Sequence, residues 1–212
     1  MGTSIFQKYP PHHTFEGRKV LNVGCGFAQF TAPNVVNLDA WGDAQVIWDL
    51  GNPAPLPFPD ETFDLIIANH ILEHVPNWWH CFEELSRTTK VGGMIEVWVP
   101  GMGSDSILGY RDHINTINHC SWWGTHEFYR NANNAWAEEN AAGPASQMSM
   151  TKMVPRLDLE THKWLRRCPK FIKAWSAIHL RNVLKEIGFF FTKVPKQPEM
   201  PKFDWRVVEA LI

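Results

Sequence analysis

The chain has 212 residues, with 20 Lys and Arg against 22 Asp and Glu, and 44% of its residues are hydrophobic. This length suits one domain with a sizeable core. No apolar run reaches the roughly 18 residues of a transmembrane helix, and the N-terminus lacks the apolar segment of a secretory signal. We therefore expect a cytoplasmic protein with reduced cysteines and no membrane partner.

The charge is unevenly distributed along the chain. Residues 1–150 hold 7 Lys and Arg and 16 Asp and Glu, a net charge of −9, whereas residues 151–212 hold 13 and 6, a net charge of +7. The basic C-terminal third predicts either contact with an anionic partner or the solvated outer face of helices, and the sequence leaves both open.

Short apolar runs predict the strands of a mostly parallel sheet. They are continuous rather than alternating, which is typical of strands buried on both faces. In chain order, the runs are Lys19–Val23, Val35–Leu38, Gln45–Trp48, Phe63–Ala68 and Met94–Val99.

A helix is predicted between the last two of these strands. Asn77 is a suitable N-cap, and the apolar residues after it fall at helical spacing, ending at Gly92 and Gly93. A second helix is predicted from Ala177 to Ile187, followed by two strands over residues 189–194 and 205–212.

Residues 101–173 interrupt this alternation and are rich in Trp and Tyr. The segment is too long for a simple loop. It predicts an insertion of helices and loops that lies over the sheet edge as a lid, within a single α/β domain spanning residues 1–212.

A glycine turn, Gly24-Cys25-Gly26, follows the first predicted strand, and Asp39 ends the second. Open α/β sheets bind ligands beyond the carboxyl ends of their strands, so a dinucleotide and S-adenosylmethionine are both candidates. A dinucleotide turn needs a third glycine and a helix N-terminus for its pyrophosphate. Here Gln29 occupies the third position, and only eight residues separate Gly26 from Val35. The pattern therefore favours S-adenosylmethionine.

Several longer motifs carry a family resemblance. The segments "VLNVGCG", "NLDA", "WDLGNPAPLPFPDETFDLIIANHILEHV" and "KVGGMIEVWVP" resemble class I S-adenosylmethionine-dependent methyltransferases, in particular a type-11-like branch of small predicted methyltransferases. The resemblance implies a Rossmann-like sheet of seven strands in the order 3-2-1-4-5-7-6, with the last strand antiparallel. It also implies transfer of a methyl group from S-adenosylmethionine, leaving S-adenosylhomocysteine, to a small-molecule or saccharide acceptor, for which we expect a hydroxyl.

The resemblance also assigns cofactor contacts by position. Asp39 would accept the ribose hydroxyls, and Asn69 would contact the amino-acid end of the cofactor. One departure is Asn22, which stands where the wider class often has an acid. The full set of implied cofactor-binding residues is Gly24, Cys25, Gly26, Asp39, Ala40, Asp49, Leu50 and Asn69.

Three histidines are candidate general bases for a hydroxyl acceptor: His70, His113 and His126. His70 would face the substrate side after the fourth strand. The stretch from His70 to His74 also matches the zinc pattern H-x-x-E-H, but it begins at a strand end rather than inside a helix. Some quinone-pathway O-methyltransferases carry an acid-x-x-Glu-His metal site at this location, and His70 replaces its first acid. We expect no metal.

Two alternatives stay open. The basic C-terminal third suits RNA, DNA or a phosphorylated acceptor, although Asn69 is not followed by the Pro-Pro-aromatic motif of DNA amine methyltransferases. The second alternative is a module that binds S-adenosylmethionine without turnover, which Asn22 and the unidentified base allow.

Overall fold

The computed structural model describes residues 15–100, 147–179 and 183–195. Seven strands in these ranges form one mixed sheet in the order β3-β2-β1-β4-β5-β7-β6. Their bounds are β1 Val20–Val23, β2 Val35–Asp39, β3 Val46–Ile47, β4 Phe63–Asn69, β5 Thr89–Pro100, β6 Met148–Leu157 and β7 Leu184–Lys193.

The strands β1 to β5 pair in parallel, whereas β7 runs antiparallel between β5 and β6. The prediction of an α/β Rossmann-like, mostly parallel sheet is therefore confirmed, and so is the strand order. The predicted strand over residues 189–194 falls in β7, the antiparallel strand, rather than being the sixth strand of the sheet. The carboxyl ends of β1, β2, β4 and β6 and the start of β7 share one edge of this sheet, which we call the ligand edge.

Two assignments in the C-terminal third were wrong. The strand β6 lies inside residues 101–173, so this segment is not composed only of helices and loops over the sheet edge. The helix α2 spans Lys170–His179, and Ile187 lies in β7 rather than in a helix. The predicted strand over 205–212 and residues 101–146 lie outside the described residues, and the single-domain organisation stays a prediction.

The helix α1, Trp78–Thr88, covers one face of the sheet with Cys81, Phe82 and Leu85. Its predicted N-cap is confirmed, because the Asn77 side chain accepts a hydrogen bond from the backbone N–H of His80. The helix ends earlier than predicted, since Gly92 and Gly93 fall within β5.

The opposite face has a smaller apolar cluster of Val20, Val35, Leu65 and Ile67. Phe15 and Phe30 cover it, with ring centroids 5.1 Å apart in edge-to-face contact. No helix lies between Gly24 and Val35 in the described chain. Irregular chain therefore replaces the helix that usually follows the first strand, as the eight-residue interval predicted.

None of the helices in the described ranges has the length and apolarity needed to cross a bilayer.

Candidate functional site

The glycine turn lies at the ligand edge, directly after β1. Gly24 and Gly26 have φ values of 62° and 47°, a region that favours glycine. A Cβ on Gly24 would collide with the Ile71 side chain, whereas a Cβ on Gly26 would meet nothing within 4 Å. The turn is therefore closed against the segment after β4 at Gly24 and open at Gly26.

Asp39 ends β2 beside this turn. Its Oδ2 accepts a hydrogen bond of 2.8 Å from the Gly26 backbone N–H, and its Oδ1 accepts a long one of 3.4 Å from Trp41. The residue is only 9% exposed. The predicted pairing of the acid with the glycine turn thus exists in space, with one carboxylate oxygen bonded to the turn and the other only weakly engaged.

The residues predicted to border an adenine are placed differently from one another. Ala40 is exposed beside Asp39. Asp49 is also exposed, and its Oδ1 accepts a 2.8 Å hydrogen bond from Gly51, as in an ordinary turn. The side chain of Leu50 is 8% exposed and belongs to the core, so it faces inward. Of these three residues, only Ala40 presents an exposed surface next to Asp39.

Cys25 is buried at the centre of the turn. Burial, together with the nearby Asp39 carboxylate, raises the pKa of the Cys25 thiol to about 11. The thiol stays protonated at neutral pH, and it serves as a small apolar wall rather than as a nucleophile.

Asn22, the departure from the family pattern, has a structural partner. Its side-chain amide donates to the Ala28 carbonyl at 3.0 Å and to Asn37 Oδ1 at 2.9 Å. Asn37 in turn bonds both the N–H and the carbonyl of Phe30. This buried amide pair holds the irregular chain that replaces the first helix.

His70 follows β4 in the left-handed region, with φ of 51°. Its backbone N–H donates to the Trp98 carbonyl at 2.9 Å. Its Nε2 lies 2.8 Å from Glu186 Oε2, and its Nδ1 lies 3.3 Å from Glu73 Oε1. The imidazole therefore bridges two carboxylates, one on the segment after β4 and one on β7.

The bridge continues to β6. Arg156 Nη1 donates to Glu186 Oε1 at 2.8 Å, and its guanidinium lies 3.9 Å from the centroid of the Trp98 ring. Two half-buried basic side chains and two buried carboxylates thus form one cluster, which we call the ionic cluster: His70, Glu73, Arg156 and Glu186.

Burial alone would lower the pKa of His70, but hydrogen bonding to Glu186 and the interaction with Glu73 outweigh it and raise the pKa to about 9. His70 is therefore an imidazolium at neutral pH. Glu73 is fully buried, and neither of its oxygens makes a well-formed hydrogen bond within the described ranges, so the contact with His70 is an ion pair. Base catalysis by His70 would first require loss of its proton to solvent or substrate.

The remaining predicted residues are partly placed. Asn69 ends β4 at the ligand edge, half-buried and in register with Trp98. His113 and His126 lie outside the described residues. Glu186 and Arg156 were not predicted, because their strands come together through long-range pairing that no local spacing reveals.

Comparisons with known proteins agree with this geometry. The type 11 methyltransferase family model, described as "Methyltransferase domain", matches residues 21–97, which run from β1 into β5 and contain the glycine turn and Asp39. Residues 21–97 therefore carry the pattern of a class I S-adenosylmethionine-dependent methyltransferase domain. S-adenosylmethionine is the cofactor of this class, as predicted.

Curated relatives match part of this chain. Demethylmenaquinone methyltransferase of Bacillus cytotoxicus is 34% identical over 102 residues, covering 37% of this chain and 43% of the relative. Sterol 24-C-methyltransferase of Yarrowia lipolytica is 31% identical over 105 residues, covering 39% and 27%. The chain spans less than half the length of these relatives.

Solved structures of low sequence identity are similar to this chain in fold alone. A methyltransferase from Archaeoglobus fulgidus superposes with a TM-score of 0.53 at 15% identity, covering 84% of this chain and 88% of that chain. An O-methyltransferase of a Brevibacillus brevis polyketide synthase, in complex with S-adenosylhomocysteine, gives a TM-score of 0.50 at 14% identity, covering 87% and 70%.

Proposed function

We propose that this protein transfers the methyl group of S-adenosylmethionine to a hydroxyl of a small-molecule or saccharide acceptor. The observation that carries the proposal is the contact between Asp39 and Gly26 at the ligand edge. It joins a carboxylate suited to ribose hydroxyls with a turn that leaves the backbone open for a ligand.

The residues present fit this cofactor better than a dinucleotide. The weakly engaged Oδ1 of Asp39 is a ready acceptor for a ribose hydroxyl. The chain after the turn lacks a helix within the described residues, so no helix N-terminus is presented to a pyrophosphate. Cofactor contact is assigned to Gly24, Cys25, Gly26, Asp39, Ala40 and Asn69. Asp49 is assigned to the periphery of the cofactor site. Leu50 is assigned to the core beneath that site, without direct cofactor contact.

The cofactor supplies an electrophilic methyl group, so the chain itself contributes chiefly by positioning the acceptor in line with it. His70 borders the substrate side as a fixed cation held by Glu73 and Glu186. It orients the segment after β4, and its positive charge favours the anionic form of an acceptor whose hydroxyl has lost its proton before the transfer. Proton removal by His113 or His126 stays a prediction.

The acceptor class rests on the relatives. The names of two curated relatives specify a demethylmenaquinone and a sterol, both of which are small molecules. This supports a small-molecule acceptor over a nucleic acid.

Calorimetric titration tests cofactor binding. We expect S-adenosylmethionine and S-adenosylhomocysteine to bind and NAD to give no heat. Asp39→Asn should weaken binding by about 1–3 kcal/mol, because a charged acceptor is lost. Asp43→Asn, an exposed acid just beyond β2, is the matched control and should bind normally. Binding of NAD alone, or unchanged affinity in Asp39→Asn, would contradict the assignment.

Transfer of a labelled methyl group tests the acceptor. Labelled cofactor is incubated in parallel with small metabolites, glycans, RNA and DNA. We expect label in the first or second pool. Label in RNA or DNA alone would overturn the acceptor class, and bound cofactor without any transfer would favour a binding module.

A further inference from the structure

Three large aromatic side chains are exposed close together in sequence. Trp164 is 53% exposed, Phe171 71% and Trp175 54%. Phe171 and Trp175 stand four residues apart on α2 and therefore share one side of the helix. Apolar area of this kind on a folded surface marks a site of interaction.

Basic residues surround these aromatics. Between Thr161 and His179 the sequence has five Lys and Arg and no Asp or Glu, the nearest acids being Asp158 and Glu160. The exposed members used below define the aromatic–basic face: Trp164, Arg166, Arg167, Lys170, Phe171 and Trp175.

The aromatic side chains are exposed on one side of a segment whose other side is packed against the protein. Leu165, within a short 3₁₀ helix over Lys163–Arg167, is fully buried, and so is Ser176 on α2. Arg166 Nε also donates to the Leu159 carbonyl at 2.9 Å. The inward side chains anchor the segment, so the aromatics are held outward.

The aromatic–basic face is connected to the sheet at the ligand edge. Its segment connects the end of β6 to the start of β7, and Leu157 of β6 pairs with Leu184 of β7. Because β7 runs antiparallel, the chain leaves and re-enters the sheet at the same edge that carries the glycine turn and Asp39. A surface contacted by this face would therefore lie next to the acceptor side.

We propose that the aromatic–basic face docks the protein onto an anionic membrane surface, with the ligand edge turned toward the lipid. Interfacial helices combine Trp and Phe on one side with Lys and Arg around them, and anionic headgroups attract the cations. Such a contact needs no spanning helix, although it differs from the sequence-based expectation of no membrane partner.

Two other occupants fit less well. Single-stranded nucleic acid is bound in basic grooves, whereas Phe171 and Trp175 are exposed on the outer side of a helix. A symmetric contact with a second copy would bring the same cations together from both sides. Charge complementarity therefore favours an anionic lipid surface.

Co-sedimentation of the full chain with vesicles tests this proposal. One set of vesicles contains phosphatidylglycerol and phosphatidylcholine in equal amounts, and the other contains phosphatidylcholine alone. We expect binding to the anionic set that weakens with added salt. The double variant Arg167→Glu/Lys170→Glu should bind roughly tenfold or more weakly, because two cations that attract anionic headgroups are replaced by anions. The variant Phe171→Ser/Trp175→Ser should lose a comparable factor.

Matched controls lie at the opposite edge of the sheet. Val91→Ser removes an exposed apolar side chain, and Arg18→Glu reverses an exposed charge; neither should change vesicle binding. Circular dichroism confirms that every variant is folded. Absence of vesicle binding, equal binding to both vesicle sets, or insensitivity to both double variants would overturn the proposal. So would binding to single-stranded RNA that the double variants abolish while vesicles are not bound.

The purpose of docking, delivery of an apolar acceptor, rests on the proposed function, but the docking itself does not. Cofactor titration of the same variants separates the two. We expect wild-type affinity for S-adenosylhomocysteine in all of them. If the wild-type protein did not bind the cofactor, the proposed function would be refuted, whereas vesicle binding would still support the docking proposal.

Discussion

At the scale of single residues, Asn22 shows how a departure from a family pattern becomes part of the fold. Its amide donates to two oxygens, those of Ala28 and Asn37. A carboxylate in the same place would face these two acceptors without a proton to offer. The Asn22 side chain thus holds in place the irregular segment after the glycine turn. This segment takes the position of the helix that usually follows the first strand.

Asn22→Asp should therefore destabilise the protein, although it restores the acid common in the wider class. We expect the free energy of unfolding to fall by at least about 1–3 kcal/mol, the cost of leaving buried polar groups unpaired. Urea-induced unfolding measures it. The control is Asn52→Asp, since the Asn52 side-chain oxygen accepts a hydrogen bond from the Ala54 backbone N–H and a carboxylate can do the same. Equal stability of Asn22→Asp and wild type would refute the structural role.

At the scale of elements, the pairing of β5 with β7 depends on a residue without a side chain. Gly188 lies directly opposite Trp98 in the register, and a Cβ on it would come within 2.6 Å of the indole ring. The Arg156 guanidinium lies over the face of this ring, 3.9 Å from its centroid. Trp98 is only 6% exposed and has little room to move.

Gly188→Ala should displace Trp98 and cost about 1–3 kcal/mol, as expected for overpacking of a buried site. The same substitution in a Trp98→Leu background should cost much less, because the obstructing ring is gone. A double-mutant cycle by urea unfolding measures the difference. Additive effects of the two substitutions would show that the close approach does not limit the strand pairing.

The sequence predicted the elements whose signals are local. Continuous apolar runs marked β1, β2 and β4, and Asn77 marked the start of α1. It misplaced the C-terminal elements because Leu184 and Ile187 continue the helical spacing of the residues before them, although both belong to a strand. The glycine turn and Asp39 were predictable for the same local reason, whereas Glu186 reaches His70 only through the pairing of β7 with β5.

At the scale of the whole molecule, the ionic cluster joins two parts of the chain that are distant in sequence. His70 and Glu73 follow β4 in the parallel part of the sheet, and Arg156 and Glu186 lie on the antiparallel β6–β7 pair. Its charges balance when His70 is protonated. Loss of that proton leaves a neutral imidazole between the carboxylates of Glu73 and Glu186. Arg156 pairs with Glu186, so the cluster then carries one more negative charge than positive charge.

This arrangement predicts a pH-dependent stability. The pKa of His70 is about 9 in the folded protein, above its ordinary value of 6.5. Because folding raises this pKa, the contribution of His70 is complete below about pH 6.5, declines between these two values and is lost above about pH 9. The full shift corresponds to on the order of 3 kcal/mol, an upper limit because the side chain is 22% exposed.

We therefore expect His70→Gln to lower the free energy of unfolding at about pH 6 and to differ much less from wild type at about pH 10. Urea-induced unfolding across this range measures the difference, and NMR titration of the His70 ring measures its pKa directly. His162→Gln, outside the ionic cluster, controls for general effects of replacing a histidine and should show no such trend. Glu186→Gln removes the closest carboxylate and should lower the pKa of His70, so that the pH dependence moves toward neutrality. An NMR pKa of His70 near 6.5 in the wild-type protein, or a stability difference that does not change with pH, would mean that the ionic cluster does not hold the imidazolium.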